Sequence, residues 1–169
     1  MRRNGTSERG STIFEAALWL PILLVFLMGM EQVAKITYTY YAIKKIEYTI
    51  ARYVATQQGV NFCAGNADPS ILAGEYLGLT GTTDNSGAPF VQGLTFDMFQ
   101  VNAERVNATG AITACSCDIT GCDESVGGGS PQYISVTIPS GFPVQPIIPF
   151  LTVQTIPLVP TVKVPYAGT

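Results

Sequence analysis

The chain has 169 residues and a net charge of −3 at pH 7, and only 12% of its residues are charged. This length fits about one domain. The absence of histidine removes the usual general base and the usual metal ligand, and no basic surface points to nucleic acid. We therefore expect neither an enzyme nor a nucleic-acid-binding protein, and we expect no cofactor and no bound metal.

An apolar run near the N-terminus predicts a membrane-spanning helix. Residues 1–10 are polar and carry three arginines against one glutamate, and the run over residues 13–30 follows them. Its uncharged part, residues 16–30, would be ~22 Å long as a helix, short of a ~30 Å hydrocarbon core, so Glu15 must lie at membrane depth too. The positive-inside rule places the arginine-rich end in the cytoplasm. We expect a single-pass protein of the cytoplasmic membrane, with its transmembrane helix over residues 11–30.

Beyond the apolar run, hydrophobic residues recur at helical spacings, at Val33, Ile36, Tyr40, Ile43, Ile50 and Val54. Charged residues, Glu47 among them, fall mostly between these positions. No glycine or proline interrupts the pattern before Gly59, so we predict one helix over residues 12–57, on the order of 70 Å long, with an amphipathic continuation over residues 31–58. Pro21 lacks an N–H and should kink this helix. The alternative is two separate helices, one in the membrane and one in the head.

Residues 59–169 are expected to form a soluble, extracytoplasmic head. Asp68 followed by Pro69 is typical of a helix start, and this helix should end near Gly78 or Gly81. The proline-rich C-terminal run allows only an edge strand or a bulged strand. Further strands are predicted over residues 94–102, 111–117 and 133–138. The predicted fold class is α+β, with a long kinked N-terminal helix packed on a small antiparallel sheet that carries disulfides.

All four cysteines lie in this head, at Cys63, Cys115, Cys117 and Cys122. An even number confined to one region predicts disulfides formed in an oxidising compartment, which agrees with an extracytoplasmic head. Cys115 and Cys117 share one face of a predicted strand and are too close to pair with each other. We favour Cys117–Cys122 with Cys63–Cys115. The alternatives are Cys115–Cys122 with Cys63–Cys117, and a structural zinc site.

The most informative spacing lies at the start of the apolar run. Gly10 ends the basic segment, Ser11 follows it, and Glu15 stands four residues beyond Ser11. A carboxylate in a membrane segment costs on the order of 2.5–3.5 kcal/mol at the bilayer centre and less near an interface. Glu15 is therefore either a functional residue or a tolerated one that reaches the cytoplasmic surface.

Together these residues resemble the processing site of type IV prepilins. Gly10, Ser11, Glu15 and Pro21 follow the order of that site, and the run RGSTIFEAALWLPILLVFLMGMEQVAKITYTYYAIKKIEYTIARYVA most resembles the TadE-like proteins of tight-adherence pilus systems. The Cys-x-Cys strand, the strand that begins at Tyr133 and the proline-rich end resemble this family more loosely.

The resemblance implies a minor pilin or pseudopilin that supports biogenesis of a tight-adherence pilus for adhesion or secretion. A prepilin peptidase would remove residues 1–10 as a leader by cutting between Gly10 and Ser11. The new α-amino group at Ser11 would then pair with Glu15, either of a neighbouring subunit or of the same chain. The implied partners are the peptidase, other pilin or pseudopilin subunits and inner-membrane lipid, and the head would face the periplasm or the cell surface.

Two other hypotheses compete with this one. The first is an uncleaved, membrane-anchored extracytoplasmic domain for binding or adhesion. The second is a secreted enzyme or inhibitor with a removable signal peptide. The second is the weakest, because no small-x-small cleavage site follows Met30 and Glu15 would lie in the signal's hydrophobic region.

Overall fold

The computed structural model describes residues 7–118, 121–122, 127–146 and 154–168, with side chains from residue 12 onward. Helix α1, Ser7–Ala55, is one element of 49 residues that passes through Pro21. One continuous helix is therefore confirmed and the alternative of two helices is wrong, whereas a bend at Pro21 stays a prediction. At the end of α1, the carbonyl of Ala55 accepts hydrogen bonds from the N–H groups of Ala167 and Gly168, both at 2.9 Å.

Helix α2, Pro69–Thr80, begins and ends where the sequence predicts. The carboxylate of Asp68 accepts from the N–H groups of Ser70 and Ile71 at 2.8 and 3.3 Å, which caps the first turn. Gly81 ends the helix with a φ of 81°, a left-handed conformation that glycine adopts without strain. Two 3-10 helices, Phe62–Ala67 and Phe96–Met98, complete the helical part that the structure describes.

The described strands form two antiparallel sheets. The larger sheet has the order β2-β1-β3-β6, and β4 pairs with β5 in a sheet of two strands. The C-terminal strand β6 is thus an edge strand, as predicted, and the α+β class with a small antiparallel sheet is confirmed. The strands are β1 Gln100–Val106, β2 Ile112–Ala114, β3 Tyr133–Thr137, β4 Phe142–Val144, β5 Ile156–Leu158 and β6 Thr161–Pro165.

The strand predicted over residues 94–102 is wrong in its first half. A 3-10 helix occupies Phe96–Met98, and β1 begins only at Gln100. The Phe96 ring packs edge to face on Tyr76 of α2, with 5.2 Å between ring centroids, and this contact holds the segment close to α2. The strand predicted over residues 111–117 is shorter than expected, since β2 ends at Ala114.

The described head forms a compact unit that comprises Thr39–Val144 and Ile156–Thr169, called the head unit below. Its core includes the fully buried side chains of Ile43, Ile50 and Val54 from the C-terminal part of α1. Helix α2 approaches this part of α1 closely through Gly74 and Gly78. A Cβ atom on Gly78 would lie 2.5 Å from Cγ1 of Ile50, so only glycine fits at this contact. A second unit comprises Met1–Tyr38 and Gln145–Thr155.

Candidate functional site

The N-terminal half of α1 presents apolar side chains around its whole circumference. Every side chain from Thr12 to Glu31 is exposed, and Phe14 and Phe26 are 73% and 67% exposed. The helix is long and apolar enough to cross a membrane, and none of its most apolar window is buried. An apolar surface of this extent is unfavourable in water, so lipid or other apolar helices have to cover it.

Glu15 is the only charged residue between Thr12 and Met30. Its side chain is exposed and makes no hydrogen bond or ion pair with any residue that the structure describes. The backbones of Gly10 and Ser11 belong to α1, which puts Ser11 one helical turn before Glu15 on the same side of the helix. The side chains at positions 10 and 11 lie outside the described residues. Glu15 is thus a carboxylate that an incoming group can reach.

A shallow recess lies further along the same half of α1. Gly29 has no side chain, and no other described part of the chain beyond its neighbours and the local helix backbone lies within 4 Å of the place where its Cβ would be. Small residues of this kind let apolar helices approach each other closely in membranes. The recess is lined by Val25, Phe26, Gly29, Met30, Val33 and Ala34.

Two disulfides join the four cysteines of the head unit, Cys63–Cys117 and Cys115–Cys122, with Cα–Cα distances of 5.7 and 5.4 Å. The participation of all four is confirmed, and the zinc alternative is wrong because none of the four is free. Within the described residues, no three His, Cys, Asp or Glu side chains are grouped to hold a metal ion. Disulfides are compatible with an extracytoplasmic head.

The favoured pairing is wrong, and the alternative pairing is the one that forms. Beyond Cys117 the chain turns tightly, since the N–H of Gly121 donates to the carbonyl of Asp118 at 2.9 Å. The N–H of Cys122 then donates to the carbonyl of Ser116 at 3.3 Å. This reversal places Cys122 beside Cys115 and leaves Cys117 for Cys63.

Two buried glutamates are a feature of the head unit that the sequence analysis missed. Glu47 of α1 and Glu75 of α2 are both 0% exposed, and none of their carboxylate oxygens has a hydrogen-bond partner. Burial raises the pKa of Glu47 to about 8 against the opposing charge of Lys44. Burial also raises the pKa of Glu75 to about 8, and the nearby charge of Asp97 adds to this effect. Both side chains are therefore neutral acids below that pH.

The spacing of the apolar residues indicates that both glutamates lie on buried helix faces. Glu47 lies four residues after Ile43 and three before Ile50, so it belongs to the buried face of α1 and not between its apolar positions. Glu75 lies midway between Ile71 and Leu79, which are both buried. A search for carboxylates on apolar helical faces would have found these residues together with Glu15.

No family model, no curated protein and no solved structure matches this chain. The function therefore has to be argued from the residues themselves. The described residues include an exposed apolar segment of α1, residues 12–30, with a single carboxylate, and a head with two disulfides into which α1 continues. Such an arrangement can anchor a domain to a membrane and can pack against similar helices.

Proposed function

We propose that this chain is a pilin-like assembly protein, a minor pseudopilin of the TadE type that supports biogenesis of a tight-adherence pilus. The observation that carries the proposal is the combination of Glu15 with the exposed apolar half of α1. This half buries none of its side chains, so it needs partners other than its own chain. Between Thr12 and Met30, Glu15 is the only charged residue available to an opposite charge on a partner.

The proposed maturation step is cleavage between Gly10 and Ser11 by a prepilin peptidase. Hydrolysis of this peptide bond would leave a cationic α-amino group on Ser11. The amine would meet either Glu15 of a neighbouring subunit or Glu15 of its own chain, one helical turn away. In the first case the ion pair forms only when subunits stack in the correct register, because a charge left unpaired in a packed helix bundle costs several kcal/mol.

The proposed location follows from charge and disulfides. The arginines of residues 1–10 favour a cytoplasmic N-terminus, and the two disulfides favour a head in the periplasm or at the cell surface. Lipid would cover the apolar half of α1 before assembly, and pilin or pseudopilin subunits would replace part of that lipid afterwards. The protein would work as a structural component and not as a catalyst.

Substitution of Glu15 tests this proposal. We expect Glu15→Ala to insert and to be cleaved, because the change makes the segment more apolar and leaves Gly10 intact. It should nevertheless fail to restore surface pili or adhesion in a deletion strain. Glu15→Gln should give an intermediate result, because it keeps a hydrogen-bond acceptor without the charge.

Glu31→Ala is the matched control, since Glu31 is the next carboxylate along α1 and is also exposed. It should restore pili as well as the unsubstituted protein does. A Glu15→Ala protein that is processed and restores pili fully would contradict the proposal. That outcome would show that Glu15 is a tolerated residue that assembly does not need.

A further inference from the structure

A groove between α1 and the edge strand β6 concentrates the positive charge of the head unit. Three of the four lysines in the chain line it. Tyr41 and Tyr48, which contribute aromatic surface to the groove, are 65% and 48% exposed. The lining residues are Tyr41, Lys44, Lys45, Tyr48, Thr161, Val162 and Lys163. The groove thus combines cations with exposed rings in a chain whose net charge is negative.

The lysines differ in their partners. Lys163 forms an ion pair with Glu104, whose carboxylate also accepts a hydrogen bond from Ser135 at 2.8 Å. Lys44 and Lys45 are exposed, and neither forms an ion pair or a hydrogen bond within the described residues. Two adjacent ammonium groups are therefore available to an anionic ligand at this groove.

The backbone of β6 supplies the second half of the site. β6 pairs with β3 on one side and is the last strand of its sheet among the residues that the structure describes. The N–H of Tyr166 donates to the carbonyl of Gln132 at 2.9 Å, towards β3. Because backbone groups alternate in direction along a strand, those of Val162 and Val164 also point to β3, and those of Thr161 and Lys163 point to the open edge. This edge can accept a further strand.

We propose that this groove binds an extended acidic segment of a partner protein, which adds as a strand along β6. The open backbone edge would supply the hydrogen bonds, as in other cases of strand addition. Carboxylates on one face of the added strand would meet Lys44 and Lys45, and the tyrosine rings would cover its aliphatic stems. This inference concerns the head unit and does not rest on the proposed role in a pilus.

Binding of a designed peptide to the full chain in non-ionic detergent tests the proposal. The probe is a fluorescein-labelled ten-residue peptide of alternating Glu and Thr, measured by anisotropy. A peptide with Lys in place of Glu controls for charge. A peptide of the same sequence that is methylated at every backbone nitrogen keeps the charge and removes every backbone donor. We expect saturable binding of the first peptide only.

Variants of the chain test the two lysines and the backbone edge of β6 one at a time. Lys44→Glu/Lys45→Glu should weaken binding about tenfold or more, because attraction becomes repulsion, whereas Lys35→Glu, the reversal of the lysine outside the groove, should not.

Thr161→Pro removes one outward N–H from the edge strand, where proline is tolerated, and should weaken binding about fivefold or more. Thr161→Ala loses the same hydroxyl, keeps the N–H and should bind normally. Thermal unfolding of each variant checks that the head unit remains folded.

Three results would overturn the proposal. The first is binding of the Glu–Thr peptide that Lys44→Glu/Lys45→Glu does not weaken. The second is equal binding of the backbone-methylated peptide, which would show that charge acts without strand addition. The third is the absence of peptide binding together with saturable binding of dihexanoyl-phosphatidylglycerol that the double reversal abolishes, which would assign the lysines to lipid headgroups.

Discussion

The two halves of α1 bear glutamates in opposite situations. Glu15 lies on the N-terminal half, where all described side chains are exposed and no described residue pairs with the carboxylate. Glu47 lies on the C-terminal half, where the head unit covers it completely and its carboxylate also has no hydrogen-bond partner. Both residues interrupt an apolar surface of the same helix.

The difference lies in what covers each surface. The head unit covers Glu47 with its own residues. This burial raises the pKa of Glu47 to about 8, so the side chain stays protonated and neutral below that pH. None of the described residues covers Glu15, so its carboxylate is open to a partner. Helix α1 thus carries two different carboxyl groups. Glu47 becomes neutral because folding buries it, and we propose that Glu15 pairs with an opposite charge when subunits assemble.

The largest expected effect concerns pH. The ordinary pKa of a glutamate is 4.5, and burial raises that of Glu47 and Glu75 to about 8 in the folded head. Below pH 4.5 both states are protonated and this contribution to stability is fully present. Between 4.5 and 8 only the unfolded chain loses the protons, so the free energy of unfolding should fall by up to about 1.4 kcal/mol per pH unit for each group. The head unit should therefore be more stable at pH 5.5 than at pH 8.

Urea unfolding of the full chain in non-ionic detergent at both pH values measures this effect. Glu47→Gln and Glu75→Gln should each flatten the dependence by about half, whereas Glu31→Gln, at an exposed position, should leave it unchanged. A head unit that is equally stable at the two pH values, or more stable at pH 8, would show that these carboxylates are ionised when folded.

The next effect concerns the disulfides that hold the head over the C-terminal half of α1. Cys63–Cys117 spans 54 residues and Cys115–Cys122 spans 7. Chain entropy then predicts losses of about 4 kcal/mol for Cys63→Ala/Cys117→Ala and about 2.5 kcal/mol for Cys115→Ala/Cys122→Ala. Urea unfolding compares the two double variants. Equal losses, or a proteolytic map in which Cys63 is joined to Cys115, would contradict this connectivity.

A smaller effect is expected where α2 packs on α1. In an open helical position Gly→Ala stabilises by up to about 1 kcal/mol. At Gly78 the new Cβ would lie 2.5 Å from Cγ1 of Ile50 and 3.0 Å from the carbonyl oxygen of Ile46. Gly78→Ala should therefore destabilise the head unit by about 1–3 kcal/mol, the usual range for overpacking. Gly29→Ala is the control, because nothing lies within 4 Å of its Cβ position. A raised melting temperature for Gly78→Ala would mean that the helices lie further apart.

Local signals predict the two α-helices. No glycine or proline lies between Gly29 and Gly59, and this predicts the C-terminal end of α1 to within two residues. Asp68 and Pro69 predict the start of α2, because capping depends on atoms only two or three residues away. The edge position of β6 also follows locally, since proline has no backbone N–H to donate and is confined to edge strands or bulges.

The wrong predictions concern segments whose structure the local sequence signals do not determine. The alternation of apolar and polar residues over 94–102 predicts a strand. Instead, the Phe96 ring packs on Tyr76, and the alternating buried side chains are those of Phe99, Val101 and Ala103. The strand β4 was missed because it has only three residues and Pro143 stands at its centre. The disulfide pairing likewise depends on a turn that short-range spacing does not reveal.

Mass spectrometry of the N-terminus tests the central proposal most directly. The protein should be recovered from native membranes, and its first residue should be compared with that of a Gly10→Leu variant. The proposal predicts that the mature protein begins at Ser11 and that Gly10→Leu remains uncut, because the peptidase requires a small residue before the scissile bond. An uncleaved N-terminus in the native protein, or cleavage of the Gly10→Leu variant after residue 10, would contradict it.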